Sequence, residues 1–372
     1  MADMTVIFVP GNEINSDLGV VNAARVSLAK KSFLERVHKL GCESCYYDEP
    51  INTTCMEESH YSFEMQPSDI KLIHYLASHN HWTPFAHSRL YFVIDWEAFG
   101  VEEELYLYKN FNSAGFACID HSGHTYMKGS LYSWLHSLQY MPQAMADYVH
   151  FVASNSYPVS TAALVLNRAP EPFHYLSHTM DLTERFISIQ SNPQFYKLMT
   201  ATLLITVPIF VARQIRTSQI AIAYSDLYVE GEAFAYNEVS RRYVNEEPQF
   251  YDIKQWRVRE GSKVKQGSTG LAVKTVNTKF INYQSHNIEE ALSDYYEAEK
   301  YTIAPEQARC LLPQSMMTTF YMTATLHRWS QWLSLRLDKH VQQETREVAS
   351  LIKDSLSCNF PKWSLDKMVA VE

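Results

Sequence analysis

Apolar and polar residues alternate along this chain with two different rhythms, and each change of rhythm marks an element. Met4 to Pro10 is a short apolar run closing on a Pro-Gly turn, which predicts a buried strand. From Asp17 to Lys30, Leu18, Val21, Ala24 and Leu28 fall near helical spacing, so a helix is expected with Asp17 as its cap. Gly41 to Met65 has no period, is rich in Cys, Glu and Tyr, and is expected to be a loop. Ser68 to Ala77 predicts a second helix, capped by Ser68, with Ile70, Ile73, Leu76 and Ala77 as its apolar stripe. Leu90 to Ile94 has a strand pattern.

Between Trp96 and about Thr206 the rhythm is largely lost and aromatic residues become frequent. Ser130–Leu138, Gln143–Val152 and Met180–Ile189 are expected to be helical, and Asn167–Phe173, with two prolines, a connection. Residues 97–206 are therefore expected to form an inserted, mainly helical subdomain. The pattern sharpens again at Val207, where an apolar run to Ala212 predicts a core strand. It leads toward the polar cluster Asn237-Glu238-Val239-Ser240-Arg241-Arg242-Tyr243. A polar exit loop (Val244–Phe250), a flexible loop (Gly261–Gly270), an acidic amphipathic helix (Asn287–Tyr301) and a short helix from Pro305 are expected next. Leu326, Trp329, Leu333, Leu337, Val341, Val348 and Ile352 then recur at helical steps, predicting one long element from Thr318 to Leu356. On such a helix Arg336 and His340 would share one face, about 40° from the apolar stripe.

Charge narrows the possible partners. The net charge of −9 argues against non-specific nucleic-acid binding, which needs a basic field. A small anionic ligand stays open, because a local cluster of arginines can outweigh the global sign. Arg213, Gln214 and Arg216 stand where the apolar run stops, with the carboxylate of Glu238 downstream. They suit an anionic ligand with polar edges, and they equally suit a solvated charged face. A half-buried Arg336 would need either a carboxylate or an anionic ligand. Cys42 and Cys45 form a CxxC with no second pair at zinc spacing, and His74, His79, His81 and His87 show no HExxH or comparable spacing. No metal is expected. The N-terminus lacks a signal-peptide pattern, and the run Leu203–Ala212 is far short of the ~20 apolar residues of a membrane span. A soluble, cytoplasmic protein is the expectation, with no membrane partner.

Five segments together resemble the flavin-dependent thymidylate synthases. They are AARVS (23–27), the helix leading into HWTPFAH (81–87), PIFVARQ (208–214), NEVSRRY (237–243), and ARCLLP through LRLDKHVQQE (308–344). The resemblance implies an α/β (α+β) fold shared between residues 1–96 and 207–358, with a tail at 359–372; the usual members lack the 97–206 block. It implies transfer of a one-carbon unit to C5 of a deoxypyrimidine monophosphate, dUMP to dTMP. FAD would be the cofactor, NADPH and methylene-tetrahydrofolate the co-substrates, and the assembly a homotetramer with active sites between subunits. Gln214, Glu238, Ser240, Arg241 and Arg242 would bind the nucleotide, with Arg309 arriving from another subunit. Arg336 would be the catalytic arginine against the pyrimidine. Ser27, His81 and Thr83 match flavin-contacting positions. Thr217, Ser218 and Gln219 stand where the family has Arg-His-Arg, with added residues at roughly 225–235 after them. Ala86 replaces a family carboxylate, and Thr325, His327 and Gln331 replace the usual Asn, Arg and Asn. These departures gather on the flavin side. Hydroxymethylation at C5, dCMP as substrate, or a non-catalytic nucleotide-binding relative are the alternatives.

Overall fold

The computed structural model of the protein describes residues 2–38, 61–95, 116–121, 124–141, 143–165, 198–217, 234–244, 246–259, 268 and 270–360. Strand β1 (Thr5–Val9) leads through one helical turn, Gly11–Ile14, to α1 (Asp17–Arg25). Ser16 caps α1 in place of Asp17, its hydroxyl accepting from the Gly19 amide at 3.1 Å. Gly19 can have no side chain here, since a Cβ would lie 2.1 Å from the Ile14 carbonyl oxygen. The helix ends at Arg25, short of Lys30, and passes through a 3-10 turn into left-handed Ala29. Strands β2 (Glu35–His38) and β3 (Tyr61–Glu64) pair antiparallel. β3 thus lies in the stretch expected to be a loop, whose residues before it are outside the described ones.

Helix α2 (Pro67–Ser78) starts one residue before Ser68, which therefore caps nothing. Proline suits this first position because its missing N–H would have had no helical partner. Strands β4 (Arg89–Asp95), β5 (Phe116–His121) and β6 (His124–Ser130) form an antiparallel sheet in the order β4-β6-β5. Helices α3 (Leu131–Ser137), α4 (Gln143–Ser156) and α5 (Pro158–Leu164) follow. Asp17 finds its work on α5, accepting the first-turn amides of Val159 and Ser160 at 2.9 and 2.8 Å. The segments Asn167–Phe173 and Met180–Ile189 lie outside the described residues.

The second half opens with β7 (Thr200–Pro208), α6 (Ile209–Thr217), β8 (Ala235–Glu238), β9 (Arg257–Val258) and β10 (Gly270–Leu271). It continues with α7 (Lys274–Lys300), β11 (Met317–Thr325), α8 (Leu326–Arg336) and α9 (Gln343–Asn359). Two sequence expectations fail here. The strand expected from Val207 to Ala212 ends at Pro208, and the rest of the run is helix. Val211, Ala212 and Ile215 are its buried residues, while Arg213 and Arg216 are exposed, a helical spacing hidden inside a short apolar run. The single long element expected over Thr318–Leu356 is a strand and two helices. Thr325 breaks it by capping α8, accepting from the Arg328 amide at 3.1 Å. Arg336 is the last residue of α8 and His340 lies in the following turn, so they do not share a helix face.

β1, β7, β11 and β8 make the main sheet in the order β1-β7-β11-β8, antiparallel throughout. β7 pairs on both sides, so a boundary at 206/207 falls within a central strand of this sheet. Leu203, Ile205 and Val207 of β7, with Phe320, Met322 and Ala324 of β11, turn one face toward α6, α8 and α9 to form one core. A second core joins α1 and α2 to the β4–β6 sheet and α3–α5, around Trp134, Phe92 and Phe116. The fold is mixed α and β. Among the described residues no helix is long and apolar enough to cross a membrane.

Candidate functional site

Helices α6 and α8 are locked together where the sequence reading placed two of its key residues. The Trp332 indole donates to the Ile215 carbonyl at 3.2 Å. Ile215 follows Gln214, and Trp332 precedes Arg336 by four residues, about one helical turn. Gln214 and Arg336, far apart in sequence, accordingly line one cleft of about 920 Å³. Its other walls include Arg257 and Arg259, the turn after α8, and the start of α9 with Glu344 and Arg346. Arg346 fixes that turn by donating to the carbonyls of Lys339 and Val341, at 2.5 and 2.8 Å.

Arg257, Arg259, Arg336, Lys339 and Arg346 outnumber Glu344 in the cleft, so its local field is positive although the whole chain is negative. Arg336 is half-buried, and desolvation lowers its pKa from the ordinary arginine value. The α8 C-terminus favours a cation at this place. A guanidinium so held is suited to charge-assisted, planar recognition of an anionic ligand.

A hydrogen-bonded network backs this wall. Glu344 accepts from Arg257 Nη2 at 2.5 Å and from Gln342 Nε2 at 2.8 Å. Gln214 Nε2 donates to Gln342 Oε1, and Thr345 Oγ1 donates to Gln214 Oε1 at 3.2 Å. Burial pushes the Glu344 pKa up, but the bonds from Arg257 and Gln342 outweigh it and hold the carboxyl below its usual range.

A second polar cluster sits at the end of β8. Glu238 accepts from Thr318 at 2.7 Å and pairs with Arg216 of α6 at 3.3 Å. Arg216 also lies over the Tyr236 ring, 4.4 Å from its centre, and burial raises the Tyr236 pKa. The Ser240 amide donates to the Ser27 carbonyl at 3.0 Å, and Arg242 Nε donates to Ser240 Oγ at 3.4 Å.

Asn237 is held from the opposite side of β8 by His87, which is fully buried. Desolvation, with Arg89 nearby, lowers the His87 pKa from 6.5 to about 3, so its ring is neutral at ordinary pH. Asn237 Oδ1 can only accept, so His87 Nε2 donates to it across 3.1 Å. Nδ1 then accepts from the Thr323 hydroxyl at 2.7 Å, and Thr323 in turn accepts from Thr202 at 2.7 Å.

Of the residues singled out in the sequence, Gln214 and Arg336 meet in the cleft, while Glu238, Ser240 and Arg242 gather with Ser27 at the β8 cluster. Gln214 and Arg216 are two positions apart on α6, so their side chains point about 200° from each other. The two groups lie on different sides of that helix. Arg241 turns elsewhere: it donates to the Glu246 carbonyl, near Tyr295, Tyr296 and Glu299 of α7. Arg309 is exposed, on a 3-10 turn beyond α7.

His81 and Thr83 are exposed between α2 and β4. His327 and Gln331 bond to each other at 3.1 Å on α8. Thr217 ends α6, and Ser218 and Gln219 lie outside the described residues. Arg257, Gln342, Glu344 and Thr345 were not anticipated as site residues. Gln342 and Glu344 stand in the LRLDKHVQQE segment, but neither spacing nor charge singles them out from their neighbours. Among the described residues no group of three or more His, Cys, Asp or Glu could hold a metal ion.

A family model described as Thy1, thymidylate synthase complementing protein, matches residues 138–362, more than half of the chain. The flavin-dependent thymidylate synthase of Aquifex aeolicus (strain VF5) is 24% identical over 364 residues, spanning 92% of this chain and 94% of that protein. The flavin-dependent thymidylate synthase of Kosmotoga olearia is 32% identical over 146 residues, covering 39% of this chain and 57% of its own length. That of Dictyostelium discoideum is 30% identical over 147 residues, or 39% and 44%. Among solved structures, the UMP/dUMP methylase PolB from Streptomyces cacaoi bound with 5-Br UMP aligns over 100% of this chain and 95% of its own, with a TM-score of 0.42 and 16% identity.

Proposed function

This chain belongs to the thymidylate synthase complementing protein family, and from that we propose that it transfers a one-carbon unit from methylene-tetrahydrofolate to C5 of a deoxypyrimidine monophosphate, most simply dUMP to dTMP. The observation that carries this reading is the meeting of Gln214 and Arg336 in one cationic cleft. Arg336 presents a half-buried guanidinium that would stabilise negative charge developing on the pyrimidine as C5 becomes nucleophilic. Ser240 and Arg242 carry the hydroxyl and cation that a phosphate requires.

The flavin set offers hydrogen-bonding side chains. Exposed His81 and Thr83, Ser27 beside Ser240, and the His327–Gln331 pair suit the polar edges of FAD. They supply no full cation for its pyrophosphate. Arg216, immediately before Thr217, and Arg328, which follows His327 and donates to Gln331 at 3.3 Å, are cations adjoining the set. When bound, FAD would pass reducing equivalents from NADPH to the transferred carbon. The role of this chain's residues is to hold the nucleotide and the flavin.

The separation of the two nucleotide-binding groups by α6 fits sites shared between subunits of the proposed homotetramer, in which the cleft of one copy faces the β8 cluster of another and receives Arg309. The surface of α7 agrees with that reading. Over 27 residues it buries only Tyr295 and exposes Val276, Phe280, Tyr283 and Tyr296.

Incubation with dUMP, methylene-tetrahydrofolate, NADPH and FAD is expected to give dTMP by mass spectrometry. Arg336→Ala should lower turnover by about 100-fold or more with an unchanged circular dichroism spectrum. A product heavier by one oxygen would shift the reading to hydroxymethylation. No C5-modified product from dUMP or dCMP, with folded and flavin-loaded protein, would overturn it in favour of a non-catalytic relative.

A further inference from the structure

The network behind the cleft has a direction, and a buried charge sets it. A carboxylate can only accept hydrogen bonds. Glu344 is 4% exposed and both its oxygens are engaged, one by Arg257 and the other by Gln342. Gln342 must therefore turn its NH2 group toward Glu344 and its carbonyl toward Gln214. Gln214 meets that carbonyl with its own NH2 group, and its carbonyl falls to the buried hydroxyl of Thr345. An amide is nearly symmetric in shape, so without such a bias its two orientations fit the same space. Flipping Gln342 here would set a carbonyl against a buried carboxylate, and flipping Gln214 would set two carbonyls against each other. Each arrangement leaves part-buried acceptors facing one another with no donor between them, which is costly away from bulk water.

We propose that Glu344 is a positioning residue for the nucleotide: acting through Gln342, it fixes the orientation in which the Gln214 amide is presented to the cleft. Gln214 and Gln342 both line that cleft, and Gln214 keeps its donor end on the Gln342 side. With this bias the donor end of Gln214, and not its carbonyl, stands on the Gln342 side of the cleft, the end that suits an anionic ligand. With the amides free to flip, a carbonyl would oppose it for part of the time. Arg257 is held by the same carboxylate, so one acidic residue sets two of the groups lining the wall. This inference rests on the reading of the cleft as a nucleotide site.

Isothermal titration of dUMP into wild type, Glu344→Gln, Gln214→Ala and the double variant tests it. Glu344→Gln keeps the shape but lets its own amide donate or accept, and should weaken dUMP binding about tenfold. In the Gln214→Ala background the same change should cost clearly less, the remainder being what Arg257 loses with its carboxylate partner. Gln342→Met, which cuts the relay and spares the Arg257–Glu344 pair, should reproduce the loss if Glu344→Gln proves unstable. An equal loss in both backgrounds, or wild-type affinity in either relay variant, would overturn the positioning role alone. Full dUMP affinity in both Gln214→Ala and Arg336→Ala would instead remove the nucleotide from this cleft.

Discussion

His87 shows how much one buried side chain can organise. Its ring, kept neutral by burial, ties Thr202 and Thr323 of the main sheet to Asn237 beside Glu238. Its pKa is about 3 in the fold, against 6.5 for an ordinary histidine. Above 6.5 the folded and unfolded chains are both neutral here, and the group adds no pH dependence. Below 6.5 the unfolded chain gains a proton that the folded one refuses, so stability falls as pH drops toward about 3, by up to about 1.4 kcal/mol per unit. Urea midpoints measured across that window should therefore fall more steeply for wild type than for His87→Asn. Equal slopes would mean that the ring is protonated in the fold.

At the scale of elements, capping residues decided boundaries that apolar period left open. Ser16, Ser130 and Thr325 each start a helix by accepting a backbone amide. Asp17 does the same across 142 positions of sequence, joining the first helix to the distant α5. Asp17→Ala leaves two amides at a helix start without their acceptor and should cost about 1–3 kcal/mol, seen as a melting temperature lower by a few degrees. An unchanged melting temperature would show that water replaces the carboxylate at no cost. The expected helix caps at Asp17 and Ser68 were misplaced by one or two residues, the usual weakness of local signals. The fused reading of Thr318–Leu356 had a different cause. A strand buried on both faces and the helix after it are both rich in apolar residues, and the cap at Thr325 separates them.

For the whole molecule, the proposed nucleotide ligands lie on two sides of α6, and under the proposed reading assembly is part of the chemistry. If a site combines Arg336 of one copy with Arg309 of another, two inactive variants can complement each other. Arg309→Ala and Arg336→Ala proteins, mixed under conditions that exchange subunits, should recover about a quarter of wild-type activity by random assortment. No recovery from a mixed assembly would place both arginines in sites made by single chains.

The sequence by itself determined the helical stripes of the two cores, such as Val21, Ile73, Trp329 and Val348, most of the helices, and the family, because apolar period and short motifs are local properties written in neighbouring residues. Gln214, Glu238, Ser240, Arg242 and Arg336 were singled out as candidates by such motifs. Only the tertiary structure decided which of them meet. It placed Gln214 with Arg336 through a tryptophan bond between helices, set Glu238 and Arg242 on another side, and turned Arg241 away toward α7. It also revealed Arg257 and Glu344, 87 positions apart, as one ion pair behind the cleft wall. No periodicity can mark such a pair, since its partners are brought together by the packing of separate elements and by the cost of leaving a buried charge alone.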